Sequence, residues 1–184
     1  MRAITGKYKG RHFDVPSNFK ARPTTDFAKE NIFNVLRGRV DFEGLQVLDL
    51  FAGSGQLGIE ALSRDAAFCT FVDKNRDSYE LVKANLAHCK LTELARVENS
   101  DSLNFLKLTP QKFDIALLDP PYRQGLIDKA MPLLDRVMNP GAVVVCEHER
   151  EFLAAGEYGS LKLRKRYRYG KIMLSVYDKS GLEE

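Results

Sequence analysis

The sequence predicts a doubly wound α/β fold, and three features carry that expectation. Short apolar runs of strand length recur from Val47 onward, helix-patterned segments separate them, and a glycine-rich turn follows the first run. Strands that read as continuous apolar runs belong inside a mostly parallel sheet covered on both faces, and the intervening helices supply the covers.

Taken in order, Val47–Phe51 is the first strand and Leu57–Leu62 the helix behind it. Phe68–Val72 is a second strand, followed by a helix over Asn75–His88. Arg96–Glu98 is a weak third strand, with a short helix over Ser102–Leu106. Phe113–Leu118 is the fourth, followed by a helix through Leu126, Ala130, Leu133 and Leu134, and Ala142–Cys146 is the fifth. Leu161–Tyr169 and Ile172–Tyr177 read as an antiparallel pair around Gly170. Ahead of this domain, residues 3–15 pattern as a basic β-hairpin around Gly6 and Gly10. Arg22-Pro23-Thr24-Thr25-Asp26 then gives an extended approach and a cap. A helix with an apolar stripe of Phe27, Ile32, Phe33, Val35 and Leu36 ends at Gly38. The expected division is a hairpin-and-helix extension over 1–43 and the α/β domain over 44–184.

Composition narrows the function classes. The chain has 184 residues, 44% hydrophobic and 29% charged, as in an ordinary globular domain. No apolar segment follows the basic start in the manner of a signal peptide, and no apolar run reaches bilayer length. The three cysteines (Cys69, Cys89, Cys146) form no C-x-x-C pair, so reduced, buried thiols in a cytoplasmic protein are expected. No metal-ligand spacing occurs, and no interface signal argues against a monomer. The net charge of +3 divides unevenly: +6 over residues 1–40, −7 over 41–160 and +4 over 161–184. Two basic ends suit a polyanionic partner, although basic segments are also ordinary solvated surface.

Three motifs carry chemistry. Asp49-Leu50-Phe51-Ala52-Gly53-Ser54-Gly55-Gln56-Leu57-Gly58 sits where the first strand meets its helix. There, glycines let the backbone approach a ligand and helix amides face it. Asp73 ends the second strand, 20 residues after Gly53, where a carboxylate can accept from both hydroxyls of a ribose or cap the next helix. These two suit either NAD or S-adenosylmethionine. Asp119-Pro120-Pro121-Tyr122 separates them. An exocyclic amine is a poor nucleophile because its lone pair is delocalised into the ring. A carboxylate and a carbonyl accepting its two N–H bonds stabilise charge as it develops. The prolines stiffen the loop, and Tyr122 can stack on a base. A dehydrogenase has no use for this loop. Asp101 is either an acceptor for an adenine amino group or a helix N-cap. His148 reads as part of a surface turn. The basic, tyrosine-containing stretch from Lys162 to Lys171 suits phosphate binding or a charge-guarded edge equally.

Gly6-Lys7-Tyr8-Lys9-Gly10-Arg11, Arg22 to Asp26, Asp49 to Gly58, Phe71-Val72-Asp73-Lys74, Asp119 to Tyr122 and Glu147-His148 occur in an order that resembles the RsmD family of small-subunit ribosomal RNA methyltransferases. The resemblance runs to about Tyr177. It implies a Rossmann-like class I methyltransferase with a seven-stranded sheet and a reversed last strand. It also implies methyl transfer from S-adenosylmethionine to the exocyclic N2 of a guanine in 16S rRNA, within the small subunit or an assembly intermediate. By position, Asp49, Phe51, Gly53, Ser54, Gly55, Asp73, Asp101 and Ser102 form the implied cofactor set. Asp119, Pro120 and Tyr122 are the implied catalytic set. Lys7, Lys9, Arg11 and Arg22 are expected to hold RNA, arching over the Asp119 edge. Two alternatives stay open: methylation of adenine N6 in DNA, and an RNA-binding assembly factor that holds the cofactor without turnover.

Overall fold

The computed structural model describes residues 2–12 and 26–181. Helix α1 (Asp26–Leu36) precedes strand β1 (Gln46–Leu50), helix α2 (Gln56–Ser63), strand β2 (Phe68–Asp73) and helix α3 (Arg76–His88). Strand β3 (Ala95–Asn99), helix α4 (Ser102–Leu108), strand β4 (Phe113–Leu118), helix α5 (Leu126–Val137) and strand β5 (Met138–Glu149) follow. The last three strands are β6 (Glu157–Tyr158), β7 (Leu161–Tyr169) and β8 (Ile172–Lys179).

All eight strands join one sheet in the order β3-β2-β1-β4-β5-β8-β7-β6. The first five pair in parallel, and β8 runs antiparallel to β5. Strand order therefore reverses between β1 and β4, and the carboxyl ends of those strands are where such sheets open a crevice for a ligand. Both faces are covered. Ile32, Phe33 and Leu36 of α1 join Leu62 of α2 and Val82 and Leu86 of α3 in the core on one face. Phe105 and Leu106 of α4 join Met131 and Leu134 of α5 on the other. Burying each of these side chains contributes roughly 1.5–3 kcal/mol, enough to select the doubly wound arrangement from the apolar runs alone.

Several expectations need correction. The sheet has eight strands rather than seven, because the two-residue β6 pairs with the start of β7. The N-terminal segment forms no named strand among the described residues, and residues 13–15 of the expected hairpin lie outside them. It is a tight loop closed by a single antiparallel bridge between Arg2 and His12. Its backbone is spent on α2 instead: Gly6 lies so close to the end of that helix that a Cβ would fall 1.6 Å from the Ser63 carbonyl oxygen. Phe27 is not in the buried stripe of α1; it is 58% exposed and meets Tyr169 edge-on. Lys29 is fully buried in its place, its Nζ donating to the Arg2 carbonyl at 2.8 Å. His148 is not in a surface turn. It lies buried within β5, with Nε2 2.8 Å from Ser175 Oγ and Nδ1 2.9 Å from the Glu149 carbonyl, so its polar atoms are satisfied internally. The Arg22–Thr25 segment lies outside the described residues.

Candidate active site

The loop after β1 is shaped by its backbone. Phe51 sits at φ 75°, an uncommon conformation for a non-glycine residue, and its amide and that of Ala52 both donate to the Val72 carbonyl at 3.0 Å. Gly53 then donates to Asp73 Oδ2 at 2.8 Å, joining the loop to the end of β2. Gly55, at φ 81°, is the residue from which α2 departs. Gly58 serves packing rather than turning. A Cβ there would meet the Phe71 ring at 2.2 Å and Cys69 Sγ at 2.7 Å. Ser54 is fixed from α3, its carbonyl accepting from Asn85 Nδ2 at 3.1 Å.

Asp49 stands beneath this loop, 1% exposed, with Oδ2 accepting from the Gly58 amide at 2.9 Å. Burial pushes its carboxyl up to about 8, and the nearby charges of Asp119 and Asp73 add to this against the opposing Gly58 hydrogen bond. Asp73 does not cap α3. Asn75 holds that position, its side chain accepting from the Asp77 amide, and Asp73 Oδ1 accepts from the Asn75 amide at 2.8 Å. Asp101 does cap α4, Oδ1 accepting from Leu103 and Asn104 amides at 3.0 Å each.

Across from this loop, β4 delivers a half-buried Asp119 and a buried Pro120. Support comes from the neighbouring strand. Tyr122 donates its hydroxyl to Glu147 Oε1 at 3.0 Å, and the Arg123 amide donates to Glu149 Oε1 at 3.0 Å. Glu147 is 1% exposed, so the tyrosine ring is tethered to a buried carboxylate. Arg123 and Gly125, at φ 60° and 61°, then turn the chain into α5.

The two loops enclose one cleft of about 440 Å³, within the range of small-molecule sites. Phe51, Gly53, Ser54, Asp73, Asp101 and Ser102 line one side, and Asp119, Pro120 and Tyr122 the other. The sequence-derived cofactor and catalytic sets thus meet, with Asp49 and Gly55 behind the wall rather than on it. Ala52, Lys74 and Pro121 also line the cleft; they lie within the quoted motifs but outside the expected cofactor and catalytic sets, and Leu126 joins them from the start of α5. Glu147 as the support of Tyr122 was not foreseen either; it lies 25 residues away and only strand pairing brings it near.

The N-terminal cations lie elsewhere. Lys7 donates its amide to the Ser63 carbonyl at 2.6 Å, and the Arg11 guanidinium binds the Cys89 carbonyl and stacks on Tyr8. Ser63 and Cys89 end α2 and α3, so the loop sits at the edge of the sheet opposite the cleft instead of arching over Asp119. Among the described residues no cluster of metal-ligating side chains occurs, and no helix is long and apolar enough to cross a membrane. All three cysteines are buried and free.

Comparison with known proteins places this geometry. The family described as "Conserved hypothetical protein 95" matches residues 1–178. The Escherichia coli K12 protein named ribosomal RNA small subunit methyltransferase D is 43% identical over 136 residues, 73% of this chain and 67% of that one. The chain belongs to the RsmD family. Its Haemophilus influenzae namesake is 39% identical over 157 residues, covering 82% of this chain and 80% of its own. Bacillus subtilis YlbH, 37% identical over 186 residues, spans 98% of this chain and 100% of its own. Among solved structures, Escherichia coli yhhF superposes with a TM-score of 0.87 at 33% identity, covering 98% of both chains. The RsmD-family fold is therefore the α/β arrangement seen here, over its full described length.

Proposed function

We propose that this protein transfers a methyl group from S-adenosylmethionine to the exocyclic N2 of a guanine in 16S rRNA, within the small ribosomal subunit or an assembly intermediate in the cytoplasm. The observation that carries this reading is the confrontation, in one cleft, of the Asp119-Pro120-Pro121-Tyr122 loop with the Gly53 loop. Relatives named as small-subunit rRNA methyltransferases supply the substrate class.

The cleft suits the cofactor. Gly53 brings backbone to the cavity wall with open space where a Cβ would stand. Asp73 and Asp101 offer carboxylates to ribose hydroxyls and an adenine amino group, and Phe51 and Ser102 border the same side. When bound, S-adenosylmethionine supplies an electrophilic methyl group. Asp49 and Gly55 act from behind the wall by holding the loop in shape.

On the acceptor side, Asp119 accepts one amine N–H and the Pro120 carbonyl the other, which directs the nitrogen lone pair out of the ring plane. As the N–C bond forms and the methyl's bond to sulfur breaks, its electron pair staying on the departing thioether, the nitrogen would become cationic and Asp119 would take the proton it sheds. Tyr122, fixed through Glu147, stacks on the base. A guanine paired in a helix has to be flipped to reach this depth, so an accessible or loop nucleotide is the expected target. Residues 1–43 form the proposed docking extension. Lys7, Lys9 and Arg11, with Arg22, contact phosphates of a substrate large enough to wrap past the edge opposite the cleft. The enzyme works as a monomer.

Labelled S-adenosylmethionine incubated with the protein and unmethylated small subunits, followed by digestion to nucleosides, tests this. Label in N2-methylguanosine is expected. Label in another nucleoside, or no label in RNA while DNA offered in a parallel reaction is labelled at adenine, sinks the guanine assignment.

A further inference from the structure

The strongest positive surface among the described residues is absorbed by neither the cleft nor the N-terminal loop. From Leu161 to Lys171 the chain carries six cations (Lys162, Arg164, Lys165, Arg166, Arg168, Lys171), and no carboxylate occurs from Gly159 to Tyr177. All six are exposed, with Tyr167 and Tyr169 half-buried between them. Five sit on β7 and Lys171 in the turn to β8; the outer edge of β7 is covered only at its start, by β6 and by the Gly156 carbonyl that accepts from the Leu163 amide. From Arg164 to Tyr169 no strand among the described residues pairs with that edge.

Two of the cations are engaged. Arg164 faces Asp178 at 3.7 Å, and Arg166 donates to the Ala154 carbonyl at 2.7 Å. Lys165 lies over the Tyr167 ring. Arg168 and Lys171 have no ion-pair partner among the described residues. Position matters as much as charge. Tyr169 pairs with Ile172, Ile172 with Glu149, and Glu149 holds the Arg123 amide just beyond the Asp119 loop. The β7–β8 turn therefore projects on the cleft side of the sheet, two strand spacings or about 10 Å from β5. Charged side chains also guard a sheet edge against strand pairing, but that role does not call for tyrosines between them. Six cations interleaved with tyrosines, beside the cleft, match a phosphate backbone with stacking bases.

We infer that the open edge of β7 and the β7–β8 turn dock the phosphate backbone of the RNA substrate next to the cleft. This rests on the reading of the cleft as an RNA methyltransferase site, but its test does not use methyl transfer. The full chain and its Lys165→Ala/Arg168→Ala/Lys171→Ala variant are titrated against a fluorescein-labelled RNA hairpin, by anisotropy, without cofactor and across a salt series. Backbone contacts are sequence-independent, so an arbitrary hairpin serves. The variant is expected to bind about tenfold or more weakly at low salt, with a log K against log salt slope shallower by about 2 to 3. Lys107→Ala, which removes an exposed cation in the last turn of α4 that has no part in the cleft or the N-terminal loop, is expected to change binding to this probe less than twofold. Should the triple variant fail to fold, Arg168→Gln/Lys171→Gln gives the same comparison.

Affinity and salt slope both within twofold of the parent overturn the inference and leave the charge as an edge guard. Binding that requires assembled subunits and is absent with naked RNA overturns it in favour of a ribosomal-protein contact. A parent that binds RNA through β7 yet methylates no RNA overturns the function and spares the docking surface; RNA methylation with an unchanged variant affinity does the reverse.

Discussion

The two sides of the cleft are built by different means. The side lined by Phe51, Gly53, Ser54 and Asp73 is made of backbone held by residues close in the fold: Asp49 bonds Gly58 nine residues on, and Asp73 bonds Gly53 across one strand pairing. The side lined by Asp119, Pro120 and Tyr122 is held from a strand that comes 25 residues later, through Glu147 and Glu149. The first side has little freedom to change without losing the core beneath it. The second is a stiff loop steered by two hydrogen bonds, and altering those bonds leaves the sheet intact. Damage to the first is expected in stability and cofactor affinity, and damage to the second in turnover.

The largest effect that sharpens this contrast is Gly58→Val. Its Cβ would lie 2.2 Å from the Phe71 ring, so α2 has to lift from the sheet. A loss of about 3 kcal/mol or more is expected, beyond ordinary overpacking, read as a shift of the denaturation midpoint. A variant of near-parental stability would break the view that this side is rigid.

Next is Glu147→Ala, which removes the acceptor for the Tyr122 hydroxyl. Turnover is expected to fall about tenfold, the cost of roughly one hydrogen bond to a charged group, with cofactor affinity within twofold. Glu147→Gln, whose amide oxygen can still accept, should restore most of it. Equal losses in both variants would mean that Glu147 acts through its charge and not by orienting the ring.

Asp101→Ala comes third. It removes the cap of α4, at a cost of about 1 kcal/mol, and weakens cofactor binding without lowering turnover at saturation. A saturating rate that falls along with affinity would place Asp101 on the wrong side of the comparison.

The last effect is in pH. The Asp49 carboxyl is held at about 8 against an ordinary 3.8. Between those values the folded chain binds more protons than the unfolded one, so this group's contribution to stability falls as pH rises through the window. Buried His148 is pushed the other way by desolvation, so its contribution is lost as pH drops below 6.5. Asp49→Asn is therefore expected to flatten the decline of Tm toward pH 8. An unchanged profile would contradict the assignment of that decline to Asp49.

What the sequence revealed follows the same division. The order of strands and helices was legible because buried parallel strands are written as unbroken apolar runs, as in Phe113–Leu118. The glycine loop was legible because Gly53 and Gly55 are demanded by local backbone geometry. β6 was not, since a two-residue strand has no periodicity and forms only because β7 is beside it. Periodicity placed Phe27 in the core and said nothing for Lys29, whose burial depends on a carbonyl 27 residues away. The N-terminal loop was expected over the cleft edge because its cations precede the domain in the chain, whereas the carboxylate and hydroxyl of Glu60 and Ser63 fix it at the other. Charge alone carries no address; hydrogen-bond partners supply it.

The most direct test of the division of labour is Asp119→Ala, with cofactor affinity measured by calorimetry and single-turnover methyl transfer measured on small subunits from the same preparation. The account predicts affinity for S-adenosylmethionine within about threefold of the parent and a rate lower by at least about 100-fold, the scale of a lost group that stabilises developing charge. A rate near that of the parent with normal cofactor binding would contradict it.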